Sequence, residues 1–309
     1  MHLNFKKRIC AFWLAVISLF CLLAAVGAEE EQYLENDMNF VDGSMDVSNG
    51  IPDNAEGVLR KIRERGVLRV ATEPYFPPQE FLDEKKEGQE QFAGADMELA
   101  RMIAERMGVS LEIVPMEFTR VLEAVAEDEC DLAISALAFM PSRATTNELS
   151  KGYYYSGASA GSGLIIRSES AEVIRTIDDL ADKTIIAQSG SIQESLMAEN
   201  VIYYQEFRRV SSASDCYDAV RKGLADAACV DYETAEDYIR EHPEANLALV
   251  EGVAFKMRKE YEGDRIAGKK GELQLMYFVN GVIDEMSEKD LYNQWLEAAQ
   301  ARMDELEME

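Results

Sequence analysis

The sequence predicts an α/β protein of two lobes, each a mostly parallel sheet flanked by helices, and three observations point that way. From Val67 to the Pro141 region, strand-like apolar runs alternate with amphipathic helical stretches. The same rhythm restarts at Thr184, and from Gly271 to about Met303 the pattern is helical with no new strand-rich unit. Alternation of this kind builds parallel strands with helical crossovers on the sheet faces. A second unit followed only by helices implies that the second lobe is inserted and that the chain returns to the first.

The elements follow in order. Lys6, Lys7 and Arg8 precede an apolar run from Ala11 to Val26, and Val26-Gly27-Ala28 offers small residues for cleavage, so residues 1–28 read as an export signal. A lipid anchor at Cys21 is disfavoured by the bulky Phe20 before it. Residues 29–54 are acidic, rich in Asn, Asp, Gly and Ser, and read as a flexible spacer. The first lobe is expected over residues 55–157, with order beginning near Glu56. Val58, Leu59 and Ile62 share a helical face closed by Gly66, and Val67–Thr72 is a strand. Asp96–Met107 is an amphipathic helix, Leu111–Pro115 a strand, Thr119–Ala126 a helix and Asp131–Ser135 a strand, with a short helix opening at Pro141. The second lobe is expected over 158–253. It has strands at Thr184–Ala187 and Ala227–Val230 and helices from Gln193 to about Glu199 and from Ser214 to Leu224. Residues 254–309 return to the first lobe, with Leu275, Phe278, Val279, Val282 and Ile283 on one helical side.

Charge and composition narrow the function classes. Among 309 residues, 58 acidic side chains stand against 31 basic ones, a net charge of −27, which repels nucleic acid and anionic lipid. Without the signal the cysteines are Cys130, Cys216 and Cys229; Cys216 and Cys229 could pair, but buried free thiols are the preferred reading. The histidines are His2 and His242, and no metal-ligand spacing is present, which argues against a zinc site, a His-dependent triad or any cofactor.

In open α/β sheets ligands bind beyond the carboxyl ends of the strands. After the first strand stand Glu73 and the Pro-stiffened Tyr75-Phe76-Pro77-Pro78; after the third comes Ser135, with Arg143 at the next helix start. In the second unit Ser189-Gly190-Ser191 precedes a helix, where free N–H groups favour an anion, and Asp231 ends a strand. A guanidinium fork fits a carboxylate and an aspartate accepts from an ammonium, so Arg143 and Asp231 suit a zwitterion. Each has a plainer reading: Arg143 as a solvated charge, Asp231 as a helix N-cap for Thr234, and Tyr75 and Phe76 as core aromatics.

The succession of segments resembles the bacterial extracellular solute-binding proteins of family 3, the receptors of polar amino acid import systems. The resemblance covers roughly Gly57 to Gln300. It rests on Leu68–Glu73, Gly94-Ala95-Asp96-Met97-Glu98-Leu99, Pro115-Met116-Glu117-Phe118, Met140-Pro141-Ser142-Arg143-Ala144, Asp179–Lys183, Gln188–Ser191 and Gly223–Ala227 leading to Asp231. It implies a type II periplasmic-binding-protein fold, two lobes joined by two hinge strands that close on a ligand. It implies that Arg143 pairs with an α-carboxylate, that donors around Ser191 and Gln193 complete that clamp, and that Asp231 receives the α-ammonium. Phe76 and Phe118 would hold the ligand side chain, with Glu73 facing a cationic end group and Ser135 beside it. The expected partners are a free polar amino acid, cationic ones included, and an ABC transporter permease, for an exported monomer in the periplasm or at the cell surface, on the outer face of the cytoplasmic membrane. Ala138 departs from the Thr or Ser that helps hold the ammonium in many relatives, and Ile192 from a small polar residue. Two other readings share the fold: a dehydratase of the cyclohexadienyl or arogenate type, with Glu73 or Asp231 as general acid, and a ligand-sensing domain.

Overall fold

The structure is a computed structural model that describes residues 40–155, 161–255 and 262–307; the expected signal segment lies outside them. The first lobe opens with α1 (Gly57–Arg65), stopped by Gly66 in the left-handed conformation with its N–H on the Ile62 carbonyl. It continues through β1 (Val67–Thr72), the β2/β3 ribbon (Phe81–Leu82 and Phe92–Ala93) and α2 (Ala95–Met107). Then come β4 (Ser110–Pro115), α3 (Phe118–Ala126), β5 (Leu132–Ala133), α4 (Pro141–Thr146) and β6 (Asn147–Leu149). The second lobe comprises β7 (Ser162–Arg167), β8 (Thr184–Gln188), α5 (Ile192–Asn200), β9 (Glu206–Val210), α6 (Ala213–Arg221), β10 (Ala227–Asp231), α7 (Tyr232–Glu241) and β11 (Leu247–Phe255). The return consists of β12 (Ala267–Lys269), α8 (Leu273–Glu288) and α9 (Leu291–Glu307).

Each lobe holds a five-stranded sheet, ordered β4-β1-β5-β12-β6 and β11-β7-β10-β8-β9. The strands of the βαβ rhythm pair in parallel, β1 with β4 and β5, and β8 with β9 and β10. The others run antiparallel: β12 slots between β5 and β6, and β7 pairs with β10 and β11. The insertion of β12 is the return that the late helices implied. It also moves the second lobe's end slightly past residue 253, because β11 reaches Phe255.

In the main core of the first lobe, Leu68, Val70, Leu99, Ile103 and Leu132 pack with Phe278, Val279 and Val282 of α8, and a smaller cluster joins Phe92, Met97 and Ile113. The second lobe has an apolar cluster on each face of its sheet. The three cysteines are free and buried.

The expected spacer needs correcting over residues 40–54. Val41, Val47 and Ala55 are buried in the first lobe's core. Val41 N–H donates to the Leu149 carbonyl at 2.8 Å, and the fully buried Asn280 amide donates to the Val41 and Gly43 carbonyls at 2.6 and 2.8 Å. Widely spaced apolar residues show no period in the sequence, yet a chain laid along α8 needs none once a side-chain amide satisfies its carbonyls; each buried carbonyl left unpaired would cost about 1–3 kcal/mol.

The two crossings between lobes pair with each other. Asp264 N–H donates to the Tyr154 carbonyl and Tyr153 N–H to the Asp264 carbonyl, both at 2.9 Å, and Ala138 bridges to Asp264 as well. The lobes thus share a short paired hinge beside the carboxyl end of β5.

Candidate functional site

β1 ends at Thr72, and the chain turns into the cleft at Glu73. The Glu73 N–H donates to Ser135 Oγ at 3.0 Å, which ties the ends of β1 and β5 together; Ser135 Oγ donates in turn to Glu80 Oε1 at 3.0 Å. The loop between is closed by paired backbone bonds between Phe76 and Glu80. Two oxygens on this wall, Glu73 Oε1 and Gln79 Oε1, are buried without a hydrogen-bond partner, while the Glu80 carboxyl hydrogen-bonds that of Asp96. Burial first, and the charge of Asp215 second, push the Glu73 carboxyl up to about 8 against the pull of Gln188. Burial and the neighbouring Asp96 raise Glu80 well above the ordinary range. Asp96 accepts from Ala136 N–H and from the Tyr153 and Tyr292 hydroxyls.

Arg143 comes from α4, whose Pro141 stands at its first position. It is 6% exposed, not a solvated surface charge. Its Nη1 donates to the Ala138 carbonyl at 2.7 Å, and its Nη2 donates across the cleft to Gly190 of the second lobe at 3.1 Å. The Phe118 ring centroid lies 5.5 Å from the guanidinium carbon. Burial draws Arg143 down to about 10.

The second lobe's contribution is already engaged in its own fold. Ser191 caps α5, its Oγ accepting from Glu194 N–H at 3.1 Å and donating to the Gln188 carbonyl at 2.8 Å. The expected free amides of Ser189, Gly190 and Ser191 are taken by the Val210 carbonyl, Glu194 Oε2 and the Gln188 carbonyl. The sequence pattern gave no sign that Glu194 folds back over the turn. The N–H groups of Ile192 and Gln193 have no partner among the described residues and remain as donors, one residue further into the helix. Asp231 ends β10 and caps α7, its Oδ1 accepting from Thr234 N–H and Oγ1 at 2.9 Å each. Burial raises its carboxyl, and Thr234 partly offsets that.

A cavity of about 300 Å³ lies between these walls, and Glu73, Phe76, Phe118, Ser135, Arg143, Ser191, Gln193 and Asp231 all line it. Tyr75, by contrast, is half exposed. Other lining residues carried little or no sequence signal. Gln79 and Glu80 stand within the Pro loop, and Asp264 sits on the hinge. Glu233 and Asp237 come from α7, and Leu296, Glu297 and Gln300 from α9. Arg143 is the one basic side chain among the described lining residues, against carboxylates from both lobes and the hinge. At the mouth, Gln300 Nε2 donates to Glu241 of the second lobe at 2.8 Å and to Asp304 on its own helix at 3.2 Å. Arg302 anchors that helix end to Asp83 of the first lobe through two bonds of 2.9 and 3.1 Å.

Two α/β lobes on a paired hinge, with polar groups from strand ends of both sheets around one cleft, define the type II periplasmic-binding-protein class. The chain belongs to the bacterial extracellular solute-binding proteins, family 3, whose family model matches residues 68–298. It is 27% identical over 231 residues to the L-cystine-binding protein TcyJ of Escherichia coli, covering 75% of this chain and 81% of that protein. It is 28% identical over 225 residues to the arginine-binding extracellular protein ArtP of Bacillus subtilis, covering 72% and 81%. Among solved structures, the amino acid ABC transporter substrate-binding protein AbpA of Streptococcus pneumoniae, bound to L-arginine, is similar with a TM-score of 0.69 at 28% identity, over 79% of this chain and 98% of that one.

Proposed function

We propose that this protein is an exported receptor that captures a free amino acid with a cationic side chain, arginine being the best fit, and delivers it to an ABC importer. The observation that carries the reading is the charge pattern of the cleft, one desolvated guanidinium among carboxylates. In this reading Arg143 and the amides of Ile192 and Gln193 take the ligand's α-carboxylate, and Asp231 takes its α-ammonium. Phe76 and Phe118 flank its side chain. Glu73 meets the cationic end, and the unpartnered oxygen of Gln79 leaves a further acceptor for a group with several N–H donors, as a guanidinium has. A cation also restores the charge that burial suppresses on Glu73, so an unfavourable feature of the cleft becomes attraction on binding.

A thermal-shift screen over the free amino acids tests this. A ligand at about 100 times its dissociation constant adds about 2.7 kcal/mol, and arginine, lysine and ornithine are expected to give the largest shifts. A protein indifferent to every amino acid overturns the proposal. One observation favours a second reading: a glutamate that keeps its proton near neutral pH is what a dehydratase of this fold needs as general acid. Water loss from prephenate or arogenate, followed by product absorbance, decides between the two.

A further inference from the structure

Asp264 arrives in the cleft from the hinge, not from either lobe's strand ends. Its backbone is fixed on both sides by the pairing with Tyr153 and Tyr154. Its carboxylate accepts no hydrogen bond from the described residues, and no ion pair within 4 Å joins it to Arg143. The adjacent Arg265 turns away: its guanidinium lies over the Phe40 and Phe139 rings, 4.1 and 5.1 Å from their centroids, and donates to the Ser150 carbonyl at 3.0 Å. Burial first, then the charges of Asp96 and Asp231, raise the Asp264 carboxyl well above the ordinary range, and no basic group meets it by contact among the described residues.

Its position says what could. Asp264 bridges to Ala138, whose carbonyl holds the Arg143 fork at 2.7 Å, so this carboxylate flanks the guanidinium within one backbone pairing. The charges acting on it are Asp96 foremost, then Asp231 of the second lobe, opposed by Arg143 and Arg265. The charges acting on Glu73 are different, with Asp215 foremost. In an α-amino acid the ammonium lies two bonds from the carboxylate carbon, so a group that receives it must flank whatever grips the carboxylate. Ala138 offers no side-chain donor or acceptor there, and Asp264 stands directly opposite it.

Resting on the amino acid reading above, we infer that Asp264 is a second receptor for the ligand α-ammonium, which sits between this hinge carboxylate and Asp231. One partner is fixed at the hinge and the other travels with the second lobe, so an ammonium that touches both ties recognition to closure.

The experiment compares L-arginine with 5-guanidinopentanoate, the same molecule without its α-ammonium, by calorimetry on wild type, Asp264→Asn and Asp231→Asn. If the screen selects another amino acid, that one and its desamino analogue replace the pair. Wild type is expected to prefer the amino acid strongly. Asp264→Asn is expected to weaken amino acid binding about 10- to 100-fold, leave the desamino analogue unchanged, and unfold no earlier than wild type, because the amide keeps the shape of a carboxyl that accepts no hydrogen bond from the described residues. Asp231→Asn should erode the same preference. Equal losses for both ligands in Asp264→Asn, undiminished amino acid binding, or a lowered melting temperature that accounts for the loss each overturn the inference while leaving the amino acid reading intact. Absence of binding by any amino acid to wild type overturns both.

Discussion

The first lobe meets the cleft with side chains left unsatisfied, and the second with side chains already employed, its open donors being the backbone amides of Ile192 and Gln193. On the first lobe, Glu73 and Gln79 each bury an oxygen without a partner, and Arg143 is desolvated against two carbonyls. On the second, Ser191 and Asp231 cap the helices behind them and Glu194 covers the Gly190 amide. Buried polar groups without partners cost free energy that a complementary ligand returns, whereas groups serving their own helix add little when a ligand arrives. The contrast implies that the first lobe selects the ligand and the second mainly shuts on it.

The largest test of that division is Arg143→Ala. Loss of one partner from a buried charged pair costs about 2–5 kcal/mol, so calorimetry should find arginine binding lost or weakened by orders of magnitude in a folded protein. Arg143→Lys should recover little, since a point charge lacks the fork. Full binding by either variant would shift selection to the second lobe.

Asp231 sharpens the comparison because it caps α7 and is also the proposed receptor of the ligand ammonium. Asp231→Ala should weaken binding and also lower the melting temperature through the lost cap, worth about 1 kcal/mol. Asp231→Ser should restore the melting temperature without restoring affinity. Recovery of both would mean that only the helix cap matters.

Next in size is the response of Glu73 to pH. The folded protein holds this proton to about 8, against 4.5 for an ordinary glutamate. The unfolded chain gives it up first, so stability declines as pH rises between those values, by up to about 1.4 kcal/mol per pH unit. A cationic ligand favours the ionised form, so binding at neutral pH releases a proton and affinity climbs from about pH 6 to 8, then levels. Calorimetry in buffers of different ionisation enthalpy measures the release, and Glu73→Gln should flatten both profiles. Smallest is Gln300→Ala. It removes one hydrogen bond across the mouth, worth about 0.5–1.5 kcal/mol, and stopped-flow should show ligand leaving a few-fold faster.

How far the sequence reached follows from which residues carry local rules. β1, α2, β4 and α3 appear close to where periodicity, Gly66 and Gly108 placed them, because each buries a face by a regular spacing. β6, β7, β9, β11 and β12 were not anticipated: β6 and β12 are three residues each and most of β9 is exposed, whereas β7 and β11 carry apolar residues but pair antiparallel, outside the βαβ rhythm that located the other strands. The same holds in the cleft. Glu73, Ser135, Arg143 and Asp231 follow strand ends and were legible there. Asp264 and Gln300 reach the cleft through tertiary routes, a hinge pairing and the far end of a late helix, and no spacing in the chain announces either.

Two of the five N–H donors of Arg143 are engaged, one by Ala138 of its own lobe and one by Gly190 of the other. A single side chain can therefore join the halves of the molecule and still grip a carboxylate with what is left. Amines without a carboxylate, such as agmatine or putrescine, leave those donors unmatched, and the cleft should hold them less tightly than the parent amino acids despite its negative charge.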